Sequence, residues 1–358
     1  MSNGISRTRL LLILPAGLCL LLGLNAALLL LGVWAPLQLT RLADVHGMLL
    51  VVGFLGTVIS LERSVAYDKR RGYAVPLLLA FGALSMITAF PSVWGKCAMV
   101  AGAAGLVAVY VPLFRRQPND ATLVQVLGAV VLFGATVLFA RGVPVPDLLP
   151  YLAAFPILTI AGERLELARI QAPPVAAQRV LVAIALLILV ASTGSLLWPV
   201  TGGRLFGIGL LALLVWLYRY DVARKLIHAT GLPRFTARCL LSGYIWLTIA
   251  ALLWVNVGDV ALTQPAYDAT IHATFLGFVM LMIMAHAPII LPAVIHCQLS
   301  YHVLMYVPVI LLQSSLFLRI FIGDLHQVRW AFLVGAVGNV IALISFAGVV
   351  IWRAKGRT

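Results

Sequence analysis

The chain has 358 residues, of which 63% are hydrophobic and only 10% charged, and its mean hydropathy is +1.07. This composition leaves too little polar surface for soluble domains of that total length, so it excludes a soluble enzyme domain, a nucleic-acid reader and a disulfide scaffold. The net charge of +14 would by itself suggest a polyanionic partner, and its distribution along the chain decides how it is interpreted.

Apolar runs separated by polar, Pro or Gly breaks indicate an all-α polytopic membrane protein. A crossing needs about 20 apolar residues, so the chain has room for about twelve transmembrane helices and almost nothing else. The spans predicted in chain order are 9–32, 44–63, 73–91, 95–114, 121–141, 146–164, 176–198, 203–219, 234–256, 266–287, 300–321 and 328–352. We therefore expect residues 1–358 to form a single transmembrane domain.

The Lys and Arg residues alternate between dense and sparse turns along this series of helices. With the N-terminus placed inside, 19 of the 25 Lys and Arg residues lie at inner helix ends and 6 at outer ends. The positive-inside rule then places both termini in the cytoplasm. The positive charge thus indicates orientation in a lipid bilayer, and no nucleic-acid partner is expected.

Similar helix ends suggest an internal repeat. Residues 59–63 read Ile-Ser-Leu-Glu-Arg at the end of the second helix, and residues 160–164 read Ile-Ala-Gly-Glu-Arg at the end of the sixth. The tenth helix shares with the second an entry in which an Asp precedes a His. This spacing is consistent with three four-helix blocks around a centre, or with chance similarity between helix ends.

Two histidines, His46 and His272, fall near the predicted outer ends of the second and tenth helices. Ionisable residues within spans are costly and are therefore functional candidates. Two imidazoles at matched depth on separate helices suit the two axial positions of one haem. Small residues that follow each histidine would let a porphyrin approach the backbone: Gly47, Gly53, Gly56, Ala273, Thr274 and Gly277.

Asp268 precedes His272 by one helical turn and is expected to accept a hydrogen bond from its second ring nitrogen. Structural alternatives remain open. Asp44 and Asp268 could be helix N-caps, the glycines could serve helix packing, and each histidine could simply be bonded to a carbonyl.

Cations near the outer face could pair with haem propionates. The candidates are Arg41, His326 and Arg329, and the alternative is that all three are solvated loop charges.

A second group of ionisable residues falls at the inner helix ends. Its members are Glu62, Arg63, Glu163, Arg164, Glu166, His286, His296, Cys297, Tyr301 and His302. His286 follows His272 by 14 residues, which is about 21 Å along a helix, so this is a separate site. It could hold a second metal ion (copper, iron or zinc), conduct protons, or be an ion-pair cluster in which Glu62 and Glu163 neutralise Arg63 and Arg164.

The His46-Gly47 pair and His272, on a twelve-helix chain, resemble subunit I of the haem-copper oxidases, where the equivalent helices ligate a low-spin haem. The stretch from His272 to His286 and the Gly162-Glu163-Arg164 ending are similar to the NnrS family. That resemblance implies one b-type haem, a bacterial inner membrane, and a role in nitric oxide tolerance or in electron transfer with a respiratory carrier.

Two departures from the oxidase pattern limit this resemblance. Residues 146–198 contain no histidine, so the oxidase copper centre is not expected, and Thr270 stands where a second tenth-helix histidine would be. A six-coordinate haem iron has no open position, which favours electron transfer over catalysis.

Two functions of other kinds remain as alternatives. One is an ion- or metal-coupled transporter that uses Glu62, Glu163 and His286, for which Pro156 would mark a broken helix. The other is a structural assembly factor for a respiratory complex, which would leave the matched depth of His46 and His272 unexplained.

Overall fold

The computed structural model describes residues 7–168, 173–295 and 299–354, and these residues form helices and turns without any strand. The predicted all-α class is therefore confirmed. The α-helices are α1 (Arg7–Leu30), α2 (Thr40–Asp44), α3 (His46–Met48), α4 (Thr57–Tyr67), α5 (Ala74–Ser85), α6 (Ser92–Arg116), α7 (Asp120–Ala140), α8 (Leu149–Ala168), α9 (Val175–Leu197), α10 (Pro199–Tyr220), α11 (Ala223–Leu226), α12 (Gly231–Val257), α13 (Gln264–His272), α14 (Leu281–Ile295), α15 (Tyr306–Phe317) and α16 (Arg329–Ala354).

Shorter helices of other types join several of these elements. Within the part of the chain that the structure describes, three segments are π-helical: π1 (Leu49–Gly56), π2 (Ala273–Met280) and π3 (Leu318–Asp324). The same residues include four 3-10 turns: Arg70–Tyr73, Val145–Leu148, Val260–Leu262 and Val303–Met305.

Local sequence explains where several helices begin and end. The Asn119 side chain accepts a 2.8 Å hydrogen bond from the Thr122 amide and so caps α7. Pro199 begins α10, where its missing amide hydrogen costs nothing. Gly258 ends α12 with a φ of 78°, in the left-handed region that favours glycine.

Eleven helical segments within the described residues are long and apolar enough to cross a membrane. The third predicted helix, 73–91, is shorter than expected because α5 ends at Ser85. Beyond it the chain turns, with the Thr88 hydroxyl donating to the Ser85 carbonyl and accepting from the Phe90 amide. The described residues therefore contain eleven helices of membrane-spanning length, where the sequence predicted twelve.

The helices pack into two compact units. The first contains residues 1–156 and 294–296, in which α1 and α5 pack against π1 and α6 packs between α5 and α7. The second contains residues 157–293 and 297–358, in which α10 packs against α9 and α12, and α16 packs against α15 and π3. The three four-helix blocks stay a prediction, and the chain ends, 1–6 and 355–358, lie outside the described residues.

Candidate functional site

His272 is the last residue of α13 and is held by Asp268 one turn before it. Its Nδ1 donates to the Asp268 backbone carbonyl at 2.8 Å and lies 3.3 Å from the Asp268 carboxylate. The expected contact between these two residues is therefore present. Because a carbonyl only accepts, Nδ1 carries a proton, and in the neutral ring the lone pair is then on Nε2.

Asp268 is buried and is paired with Arg319 from π3. Two guanidinium nitrogens of Arg319 donate to the two carboxylate oxygens at 2.7 and 2.8 Å. The N-cap of α13 is Thr263, so the N-cap interpretation of Asp268 is wrong. A two-point pair of this kind fixes the carboxylate in position, and with it the His272 ring.

Sequence reasoning missed Arg319 as a functional candidate and counted it only as an outer charge. Arg319 lies inside the apolar run from Leu318 to Ile322. A charged residue within such a run is costly in a membrane, and this could have identified Arg319 as a functional candidate. Asp324, at the end of π3, is also buried, close enough to Asp268 and Arg319 for their charges to interact. The second unit therefore holds a buried polar network of His272, Asp268, Arg319 and Asp324.

His46 has a similar local environment in the first unit. It opens α3, and its Nδ1 lies 2.8 Å from the Gly23 carbonyl of α1, so its proton also sits on Nδ1. Within three residues each histidine is followed by an eight-residue π-helical segment, π1 after His46 and π2 after His272. π-Helical turns are rare and are frequently found at functional sites.

The glycines near the two histidines are packed against protein. A Cβ on Gly53 would lie 2.8 Å from both the Ala83 Cβ and the Cys19 Sγ, and one on Gly277 would overlap the Trp246 side chain. This geometry favours the helix-packing alternative for Gly53 and Gly277. The assignment of Gly53 to a cofactor site stays a prediction.

Substitution of Gly277 by alanine is expected to lower stability by about 1–3 kcal/mol, because π2 and α12 would have to separate around Trp246. Gly348 in α16 is the matched control, since a Cβ there meets nothing within 4 Å. Gly348→Ala should leave stability unchanged or raise it slightly. Thermal unfolding of the purified variants measures both, and equal effects would contradict the packing account.

The three outer cations are exposed. Arg41 donates to the Thr88 carbonyl at 2.5 Å, and His326 Nδ1 lies 2.6 Å from the Phe321 carbonyl. Arg329 begins α16. The contacts of Arg41 and His326 are those of surface residues, and a pairing of these cations with propionates stays a prediction.

The inner residues of the first unit form an ion pair. Arg63 contacts the adjacent Glu62 at 2.5 Å and donates to the Gln125 side chain at 3.2 Å. The expected neutralisation of Arg63 by Glu62 is confirmed.

In the second unit the partner of Arg164 is Asp221, a residue that sequence reasoning missed. Arg164 Nε lies 3.5 Å from an Asp221 carboxylate oxygen, and both side chains are almost completely buried. Asp221 also accepts from the Tyr244 hydroxyl at 2.6 Å and from the Ala223 amide at 2.7 Å. His286 is one of the groups near this pair, and its Nδ1 is bonded to the Met282 carbonyl at 2.6 Å.

Removal of the Tyr244 hydroxyl leaves the buried Asp221 without its shortest hydrogen bond. Tyr244→Phe is therefore expected to destabilise the protein by about 1–3 kcal/mol. Tyr218→Phe is the control, because Tyr218 is 59% exposed and should change stability by less than about 0.5 kcal/mol. Chemical denaturation of both variants in the same detergent tests this, and an unchanged Tyr244→Phe would contradict it.

The described residues include no group of three or more His, Cys, Asp or Glu side chains placed to hold a metal ion. Glu166 is exposed, and His302 accepts from the Leu304 amide and packs on Trp352. Glu163 lies beside Arg164 in α8 and is partnered. His296 and Cys297 lie outside the described residues. Within the described residues the inner cluster therefore contains no metal-binding group of three side chains, and a second metal ion there stays a prediction.

Large apolar side chains are exposed along many of the long helices, among them Ile245, Ile310 and Val334. Apolar surface of this extent, on helices of membrane-spanning length, defines the class of multi-pass helical membrane proteins. The chain belongs to the family described as "Domain of unknown function (DUF8744)", whose model matches residues 9–355. No curated protein and no solved structure matches the chain.

Proposed function

We propose that this protein is a multi-pass protein of a bacterial inner membrane, with cytoplasmic termini, that binds one haem b. His272 and His46 would hold the haem iron. The role is electron transfer with a respiratory carrier or nitric oxide tolerance, as the resemblance to the NnrS family implies.

The observation that carries this proposal is the way His272 is held. Histidines that bind metals almost always donate their second ring N–H to a carboxylate or a carbonyl, and His272 has both partners on Asp268. The described residues provide no hydrogen bond to Nε2, and 15% of the side chain is exposed. An imidazole fixed at Nδ1, with its lone pair on Nε2, is prepared to ligate iron.

His46 supports the proposal by its matching local geometry. Its ring is fixed through Nδ1 in the same tautomer, and it also precedes a π-helical segment. Its sequence position places it at the same predicted depth as His272. Axial ligands on two helices would give a six-coordinate haem, whose chemistry is one-electron transfer.

The chain's own residues would orient and tune this ligand. Asp268 fixes the ring plane of His272, while Arg319 balances the buried carboxylate charge. Without Arg319, Asp268 would be an uncompensated charge in an apolar interior. Asp268 and Arg319 are thus positioning residues that act through His272.

The proposal is limited to one haem, because the described inner residues include no group of three metal ligands to support a second metal ion. The transporter alternative predicted an interrupted helix at Pro156, but α8 continues through it from Leu149 to Ala168. Haem binding is therefore the function that the geometry favours.

A haem assay of the purified protein tests the proposal. Extraction and conversion to the pyridine complex should give about one haem b per chain. Wild-type protein expressed with ample haem supply but isolated without any would contradict the proposal.

A further inference from the structure

Five cations of the first unit surround the inner ends of α4 and α6. Lys69, Arg70 and Arg71 lie in the turn after α4, and Arg115 and Arg116 end α6. All five are exposed, and we call them the basic patch. Asp68 is the one acidic residue in the turn 68–73.

The buried Tyr67 organises the basic patch. Its hydroxyl accepts from Arg71 Nε at 2.7 Å, and the Arg71 guanidinium and the Lys69 ammonium lie 5.5 and 5.7 Å from its ring centre. Arg116 reaches across from α6 to the last carbonyls of α4, with bonds of 3.3 and 3.4 Å to Tyr67 and Ala66. The patch is therefore built by contacts between two helices.

Exposed apolar side chains lie next to these cations. Val111 is 46% exposed and lies one turn before Arg115 on the same face of α6. Leu77, in the first turn of the helix that follows the basic turn, is 46% exposed. Cations beside exposed apolar surface complement an amphiphile that carries a negative head group and apolar tails.

We propose that the basic patch binds the head group of an anionic phospholipid, with Arg70 and Arg115, which are exposed and have no ion pair among the described residues, as its phosphate contacts. Guanidinium groups hydrogen-bond phosphate oxygens well, and each cation near an anionic membrane surface contributes about a fivefold gain in affinity. The adjacent apolar side chains distinguish a lipid from free phosphate. This inference rests on the membrane insertion in the proposed function and is independent of haem.

Native mass spectrometry of the full chain in detergent tests the lipid site. Wild-type protein should bind phosphatidylglycerol more tightly than phosphatidylcholine with the same acyl chains. Arg70→Gln combined with Arg115→Gln should weaken phosphatidylglycerol binding by about thirtyfold. These variants leave the Arg71 and Arg116 contacts intact, so folding should be retained.

The matched control is Lys96→Gln combined with Arg141→Gln. It removes one cation near the beginning of α6 and one directly after the end of α7, away from the basic patch. It should change phosphatidylglycerol affinity by less than about twofold. Equal binding of the two lipids, an equal loss in the control, or displacement of the lipid by inorganic phosphate at matched ionic strength would each overturn the lipid site. Failure of membrane insertion would appear instead as protein released from membranes by an alkaline wash.

Discussion

Replacement of Arg319 by leucine is expected to destabilise the protein by about 3–5 kcal/mol, because it leaves Asp268 as a buried carboxylate without a countercharge. Both hydrogen bonds to the carboxylate are lost, and the guanidinium also leaves the Phe332 ring, 5.1 Å away. Denaturant unfolding in detergent measures the change.

Two companion variants separate charge from packing in this pair. Arg329→Leu removes an exposed cation at the start of α16 and should cost less than about 0.5 kcal/mol. The double variant Arg319→Leu with Asp268→Leu removes both charges and should regain most of the lost stability. A single Arg319→Leu as stable as wild type, or a double variant worse than the single, would contradict the buried ion pair.

Substitution of His272 by alanine is expected to abolish haem retention, because one axial ligand is removed from an otherwise intact site. His46→Ala should have the same effect. Added imidazole should restore part of the haem content in either variant, since it can occupy the vacated position. The readout is haem per chain after purification at equal expression.

His228→Ala is the matched control for this experiment. His228 is exposed in the turn after α11, so its loss should leave haem content unchanged. Variants of His272 and His46 that keep full haem content would contradict their assignment as ligands. Loss of haem without imidazole rescue, together with a lowered unfolding temperature, would point to a structural role for the two residues.

The all-α fold class and most helix positions could be predicted from the sequence, because apolar runs of membrane-spanning length are a strong signal of transmembrane helices. The α5 helix was the exception. Residues 86–90 are apolar enough to extend it, but the hydroxyls of Ser85 and Thr88 and the following Pro91 favour a turn. The π-helical segments had no signal in the periodicity, since they change hydrogen bonding without changing composition.

The contact between Asp268 and His272 could be predicted because it lies within one helix turn. The pairing of Asp268 with Arg319 could not be predicted, because these two residues are 51 positions apart in the sequence and only folding brings them together. The same holds for Arg164. The sequence predicted a pair with the adjacent Glu163, whereas the structure places the buried carboxylate of Asp221 next to the Arg164 guanidinium. Local spacing predicts local pairs, and buried ion pairs between helices depend on tertiary packing.

The absorption spectrum of the purified protein, oxidised and then reduced, tests the haem assignment most directly. We expect a Soret band and sharp low-spin bands in the reduced wild type, present in His228→Ala and absent in His46→Ala and His272→Ala. A wild-type spectrum without a Soret band, or an unchanged low-spin spectrum in both ligand variants, would contradict it.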